Sequence, residues 1–185
     1  MDVHKAITER RAYRSLEKVE IDMELVRDLA ESARIAPSCF NNQPWRFVFA
    51  YGEEKLNELF PVLTSGNKWA TYSSMIIAVC SHRDLDCLVK GREYYLFDTG
   101  MATAFIILRA TELGLVAHPI AGYDEEETKK ILEIPDDMTV ITLVIVGKRS
   151  SELNPVLSDD QRKRELARPE RIPLEEFAFV DSYGG

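Results

Sequence analysis

The sequence predicts an α+β domain, a mainly antiparallel central sheet wrapped by helices. Three observations lead there. Helical and strand-like segments are mixed without a regular βαβ alternation. Neither G-x-G-x-x-G nor a Walker loop occurs, so dinucleotide and P-loop folds lose support. The 185 residues are 45% hydrophobic, enough for a sizeable core in one domain.

Taken in order, Asp2 caps a short first helix through about Glu9. Arg10-Arg11-x-x-Arg14 follows. In a helix, Arg10 and Arg14 would share a face and repel by a few tenths of a kcal/mol. Such a cluster fits an anion held among guanidinium groups, or a solvated turn partnered by Glu9 and Glu17. Asp22 caps a second helix, with Ile21 and Val26 as a hydrophobic staple and Leu25, Leu29 and Ser32/Ala33 as its apolar face; Pro37 ends it. Arg46–Tyr51 reads as a strand, Glu53–Phe60 as a helix and Ser65-Gly66-Asn67-Lys68-Trp69 as a polar loop. Met75–Ser81 is a short buried strand. Tyr94–Leu113 is the longest helix, with Gly114 at its C′ position. Its apolar residues encircle it, so it needs cover on every side, from a second subunit or from a monomer core. Leu115–Ile120 is a strand, Asp124-x-x-Glu127 a capping box for a helix to about Leu132, and Thr139–Gly147 a β-branched strand. Beyond Lys148 the texture turns polar. This divides a core (1–149) from a C-terminal arm (150–185), whose Ile172–Val180 run is patterned as an edge strand available to a partner subunit.

A formal net charge of −8 argues against nucleic-acid or anionic-membrane binding. No apolar run approaches the roughly twenty residues of a membrane span, and Met1–Lys5 lacks the plan of a signal peptide. Cys39, Cys80 and Cys87 are an odd number without metal-ligand spacing, which fits a reducing cytoplasm. His4, His82 and His118 are scattered, so neither a metal site nor a nucleophile pair is indicated, and His118 reads as a packed strand-end residue.

Between the second helix and the next strand lies Ala36-Pro37-Ser38-Cys39-Phe40-Asn41-Asn42-Gln43-Pro44-Trp45. At roughly nine residues the connection is about twice the usual length. Its two prolines stiffen both ends, and its amides match a flat ring edge that alternates C=O and N–H. The same amides also suit a loop that caps its own backbone.

Together these stretches resemble the nitroreductase-like FMN oxidoreductase family. The resemblance rests on Glu9-Arg10-Arg11-Ala12-Tyr13-Arg14, the 36–45 loop, Asp98-Thr99-Gly100-Met101-Ala102, Leu113-Gly114-Leu115, Pro119-Ile120-Ala121-Gly122-Tyr123-Asp124 and Val146-Gly147-Lys148, in that order. It implies an intertwined homodimer with FMN at the interface, NADH or NADPH as reductant, and ping-pong hydride transfer through flavin N5 to nitroaromatic, quinone or similar small-molecule acceptors. It also implies a flavin-binding core with no catalytic side chain of the protein's own. Arg10 and Arg11, with Arg171 of the arm, would hold the phosphate and ribityl chain, and Arg14 would lie near flavin N1 and O2. Pro37, Ser38, Cys39 and Asn41 would come from the other subunit, with Cys39 and Phe40 facing substrate. The Pro119, Ile120, Ala121, Gly122 turn would offer an N–H to N5, Asn67 would reach the pyrimidine edge, and Lys148 belongs to the same set. Ala12 stands where hydroxyl-bearing Ser is common, which removes one phosphate contact; Cys39 and Phe40 replace small hydroxyl residues, and the short 81–93 span leaves the site more open. A flavin-destroying or dehalogenating relative, and a non-catalytic flavin-binding sensor, are the alternatives.

Overall fold

The computed structural model of the chain describes residues 1–184. Asp2 opens α1 (Val3–Glu9), its side chain accepting the Lys5 N–H at 2.8 Å. The chain leaves the helix at Arg10, where ψ is 123°, and runs on to a short β1 (Leu16–Glu17). Arg10 and Arg14 therefore share no helical face, and the repulsion that a helix would impose does not arise. Asp22 accepts the Leu25 N–H at 2.8 Å to start α2 (Met23–Arg34), which buries Val26, Leu29 and Ala33. Next come β2 (Arg46–Tyr51), α3 (Glu53–Leu59) and β3 (Met75–Ser81), on the expected segments. A hairpin of β4 (Leu88–Val89) and β5 (Arg92–Glu93) leads directly into α4 (Tyr94–Glu112). Gly114, at φ +78°, ends that helix in the left-handed conformation that glycine adopts without strain. The remaining elements are β6 (Leu115–Ile120), α5 (Glu125–Leu132), β7 (Thr139–Arg149) and α6 (Asp159–Leu166).

Every ladder is antiparallel. β7 pairs with β3 from Val146↔Met75 to Thr139↔Ser81 and with β6 along its other edge; β2 lies outside β3. β1 joins β7 at Lys148↔Glu17, beyond the end of β3. Successive side chains of a strand face opposite ways, and β3 is buried at every position. Met75, Ile77 and Val79 join Val144, Val146, Leu29, Ala102 and Ile106 in one core. Ile76, Ala78 and Cys80 join Leu143, Ile145, Leu59 and Trp69 in the other. A sheet covered on both faces needs an uninterrupted apolar run rather than an alternating one, which is what β3 carries.

The long helix is covered on one side only. Asp98, Thr99, Ala102, Thr103, Ile106 and Ala110 of α4 are buried, while Leu96, Phe97 and Phe105 are 44%, 63% and 37% exposed. The arm also divides. Asn154, Leu157 and Glu165 are buried against the chain's own body, so the first half is not a free linker. Ile172–Val180 forms no strand: it holds a 3-10 turn at Leu174–Glu176 and leaves Ile172, Leu174, Phe177 and Val180 exposed. A strand exists only where a neighbour takes its N–H and C=O groups, and no strand lies beside this one. No helix among the described residues is long and apolar enough to cross a membrane.

Candidate functional site

The extended exit from α1 places Arg10, Arg11, Ala12 and Arg14 on one wall of a cavity of about 190 Å³, and the end of α6 with the segment after it supplies Arg164, Arg168, Pro169 and Arg171. No salt bridge among the described residues involves any of these arginines. Burial lowers the Arg10 guanidinium from its ordinary range, and Arg168 and Arg171 lower it further by repulsion. Burial likewise lowers Arg14, with Glu165 acting in the opposite sense. A chain of net charge −8 has thus gathered guanidinium groups around one hollow without giving them carboxylate partners.

The acid next to the cluster, Glu165, is committed elsewhere. It is 5% exposed, both its oxygens accept the Arg14 N–H at 3.0 Å, and one accepts the Ser15 N–H at 2.8 Å. Arg11 donates to the carbonyls of Arg164 at 3.0 Å and Glu165 at 3.2 Å, so it holds the C-terminal end of α6 against the cluster. Arg168 donates to the carbonyls of Thr8 at 2.6 Å and Arg10 at 3.1 Å. The side chains of Arg10, Arg14 and Arg171 donate to no protein acceptor among the described residues, which leaves them for a ligand.

Behind the cluster, His118 of β6 stacks on Trp69 at 4.6 Å and its Nδ1 meets the Tyr13 carbonyl at 3.0 Å. A carbonyl only accepts, so Nδ1 carries the hydrogen. Burial first, then Arg14 and Arg10, push the His118 ring down to about 4, against a smaller upward pull from the Tyr13 carbonyl and Glu165. His118 is therefore a neutral brace for the 13–14 backbone, in keeping with a packed strand-end residue. The Arg14 guanidinium carbon lies 6.0 Å from the Trp69 ring.

The turn after β6 is braced from the 64–67 segment. Thr64 Oγ1 and Asn67 Nδ2 donate to the Gly122 carbonyl at 3.1 and 2.9 Å. A Cβ on Gly122 would come within 2.5 Å of Thr64 Oγ1 and 2.7 Å of Asn67 Nδ2, so this turn needs glycine for close approach. Pro119 and Ala121 are exposed and Ile120 is buried. Asn67 is joined to the turn, and α6 reaches the same segment through Gln161 Nε2 and the Gly66 carbonyl, 2.8 Å apart.

The 37–44 loop is held at a different place. Ser38 Oγ accepts the Gln43 N–H at 3.0 Å, and Asp98 of α4 accepts the Cys39 N–H at 2.6 Å. Phe40, Asn41 and Gln43 have φ of +48°, +59° and +51°, and Phe40 is 90% exposed. Cys39 is bonded to Cys87, with Cα atoms 6.2 Å apart, while Cys80 is free and buried. The cysteine count that fits a reducing compartment therefore coexists with a cystine; a separation of 48 residues carries no spacing signature.

Of the expected residues, the structure gathers Arg10, Arg11, Ala12, Arg14 and Arg171 around one cavity and joins Asn67 to Gly122. Pro37, Ser38, Cys39, Phe40 and Asn41 do not line that cavity in a single chain. Lys148 lies outside it, paired with Glu17 at 3.0 Å across β1 and β7. Sequence reasoning missed Arg164, Arg168, Glu165 and Trp69. The run of Arg and Lys from Arg162 to Arg171 was the available signal for the first two.

Similarity to known proteins runs along the same elements. A profile described as "Nitroreductase family" matches residues 7–81 and 64–148. A relative from Archaeoglobus fulgidus, provisionally named an NADH dehydrogenase/NAD(P)H nitroreductase, is 28% identical over 177 residues, which cover 94% of this chain and 97% of that one. A solved structure described as an oxidoreductase containing FMN superposes with a TM-score of 0.85 at 28% identity, over 100% of this chain and 93% of that chain. A nitroreductase family protein from Clostridium novyi NT gives 0.75 at 26% identity, over 82% and 87%. Since the profile begins at α1 and ends within β7, taking in the arginine segment and every long strand, the chain belongs to the nitroreductase family.

Proposed function

We propose that this protein is an FMN-dependent NAD(P)H oxidoreductase working as a homodimer. The observation that carries the reading is the arginine cavity without a carboxylate counter-ion, which fits a phosphomonoester by charge and by guanidinium geometry. Arg10 and Arg171 hold the phosphate end, with Arg164 and Arg168 adding to the field. Arg11, committed to α6, shapes the cavity wall more than it grips the ligand. Arg14 keeps a positive charge where the ring would enter, a fixed charge that favours the reduced, more anionic state. Bound FMN would supply the redox chemistry, relaying a hydride equivalent from NADH or NADPH to a nitroaromatic, quinone or similar acceptor in a ping-pong cycle. The turn at 119–122, braced by Asn67, would serve the polar edge of the ring. Lys148, held by Glu17, has no part in this reading.

Replacing Arg10 tests it. One charge-assisted hydrogen bond is worth about 1.5–3 kcal/mol, so Arg10→Ala should weaken FMN binding roughly 10- to 150-fold in a fluorescence titration. Unchanged affinity would refute the phosphate assignment. Anaerobic bleaching of the bound flavin by NADH and by NADPH then tests the activity and orders the two reductants.

The second copy is supported by α4. Its outer face exposes Leu96, Phe97 and Phe105, and beside it lies an apolar hollow of about 320 Å³ lined by Val3, Ala6, Ile35, Phe105 and Leu108. Apolar surface of this kind marks a protein interface, and a symmetric dimer would bring the 37–44 loop of one chain to the arginines of the other. Phe97→Asp should therefore sediment as a monomer and lose FMN together. A variant that remains dimeric, or a monomer that keeps its flavin, argues against a shared site.

A further inference from the structure

Cys39 and Cys87 meet at a point that the arginine cavity does not use. Cys39 begins the 3-10 turn of the 37–44 loop, and Cys87 lies just ahead of β4. Both residues are half-buried, whereas Cys80 is 1% exposed inside the sheet. Two carboxylates hold the backbone of the bonded cysteines. Asp98, 1% exposed, accepts the Cys39 N–H at 2.6 Å. One oxygen of Asp86 accepts the Cys87 N–H at 2.8 Å and an Asn42 side-chain N–H at 3.2 Å, and that same amide reaches Cys87 Sγ at 3.4 Å. The other oxygen of Asp86 is buried without a partner, as is Thr99 Oγ1.

The loop between these tethers is held in an unfavourable backbone. Phe40, Asn41 and Gln43 are non-glycine residues in the left-handed region. Each such residue is strained, less so for asparagine, and persists only where its surroundings over-determine it. Hydrogen bonds hold the loop from within: Gln43 N–H to Ser38 Oγ, the Gln43 amide to the Asn41 carbonyl, and the Asn41 and Asn42 N–H groups to the Ser38 and Cys39 carbonyls. Others hold it from outside, Asp98 on Cys39, Asn42 on Asp86 and Cys87, and Arg46 on the Gln43 carbonyl, and the sulfur bridge ties it covalently. Opening the bridge removes the one covalent tether and leaves a loop with a reason to relax.

We propose that Cys39 and Cys87 form a thiol–disulfide exchange site, opened by a cellular dithiol and closed by its disulfide, whose state sets how firmly the 37–44 loop is held. A thiolate of the reductant attacks one sulfur, the bond between Cys39 and Cys87 breaks, and its electron pair leaves on the other sulfur. The reductant's second thiolate then attacks the mixed disulfide and frees the first cysteine. In total the cystine gains two electrons and two protons, and the dithiol becomes a disulfide. The thiolate that leaves emerges beside Asp86, whose carboxylate lies within 4.8 Å of both sulfurs and disfavours a sulfur that stays charged. Water supplies the proton that the sulfur takes up.

The consequence for flavin rests on the reading above, in which this loop lines the ring; the exchange site itself does not, so the experiment reads the two separately. The full chain is equilibrated without flavin in graded mixtures of reduced and oxidised dithiothreitol, then alkylated and mapped by mass, with amide exchange followed over residues 37–44. Cys39 and Cys87 should change together in one reversible transition while Cys80 stays unmodified. Exchange across Phe40–Gln43 should quicken by about tenfold or more in the reduced protein, as expected where a local opening becomes easier. Cys87→Ser should show the fast exchange under oxidising conditions. Free thiols at both positions in the fully oxidised mixture, stoichiometric zinc held by Cys39, Asp86 and Cys87 in place of a bridge, or a bridge whose opening leaves loop exchange unchanged would each overturn the proposal. Titration of FMN into the two forms is a separate arm: no FMN binding by either form sinks the functional reading and leaves the exchange site standing.

Discussion

Glu165→Ala should cost about 2–6 kcal/mol of stability, from two backbone donors left unpaired at about 1–3 kcal/mol each. The carboxylate is 5% exposed and accepts from the Arg14 and Ser15 backbones. Ser15 is itself 2% exposed, and from it two further bonds run to the arm: Ser150 N–H to the Ser15 carbonyl at 2.9 Å and Asn154 N–H to Ser15 Oγ at 3.0 Å. One side chain therefore pins the arginine segment, and through Ser15 the start of the arm. Its loss leaves both backbone donors unpaired and removes a carboxylate that offsets the Arg14 charge. Glu165→Gln keeps one acceptor and turns the other group into a donor facing an N–H, so roughly half the loss should remain. Urea unfolding of both variants measures this. A penalty below about 1 kcal/mol for the alanine variant would mean that the arginine segment does not depend on Glu165.

How far this arrangement was legible follows from where its residues lie. The caps at Asp2, Asp22 and Asp124 and the glycine after α4 are local chemistry and follow from their neighbours. The capping box expected at Asp124 is only half formed, however: the Asp124 N–H goes to the Val62 carbonyl and Glu127 pairs with Lys130. The apolar runs of β3 and β7 are likewise local, and pairing follows once both faces need cover. The arginine wall was half legible. Arg10, Arg11 and Arg14 stand together, but Arg164 and Arg168 arrive from 150 or more positions away. The helix that carries Arg164 and leads to Arg168 escaped notice because its one buried residue is Glu165, a carboxylate, where a burial pattern looks for an apolar residue. Trp69 was hidden by its polar neighbours, although a lone tryptophan in such a segment carries more area to bury than any of them. The β4–β5 turn uses Lys90-Gly91, at φ +50° and +82°, in place of the Asn-Gly or Asp-Gly that marks such turns. The cystine was illegible in principle, since two cysteines 48 residues apart become neighbours only after α4 has placed Asp98 beneath the loop.

His118 sets the acid limit of the same assembly. Its folded value is pushed down to about 4 from an ordinary 6.5, so between those values the unfolded chain binds a proton that the native protein refuses. Stability from this residue is complete above pH 6.5 and declines as pH falls towards about 4. At 1.36 kcal/mol per unit the decline amounts to roughly 3 kcal/mol. His118→Phe keeps a ring to stack on Trp69 but cannot titrate, and it forfeits the Nδ1–H bond to the Tyr13 carbonyl. At pH 7 the variant should therefore be the less stable protein. Its deficit should shrink by roughly 3 kcal/mol between pH 7 and pH 4, approaching or passing zero at the acid end. Because His118 holds the backbone of Tyr13, the residue before Arg14, acid should loosen the arginine segment before it melts β3 and β7. Denaturant unfolding of both proteins across this pH range, with amide exchange at residues 13–15, measures each part. Two parallel stability curves would show that His118 is not held neutral by the fold, and the brace assigned to it would have to be given up.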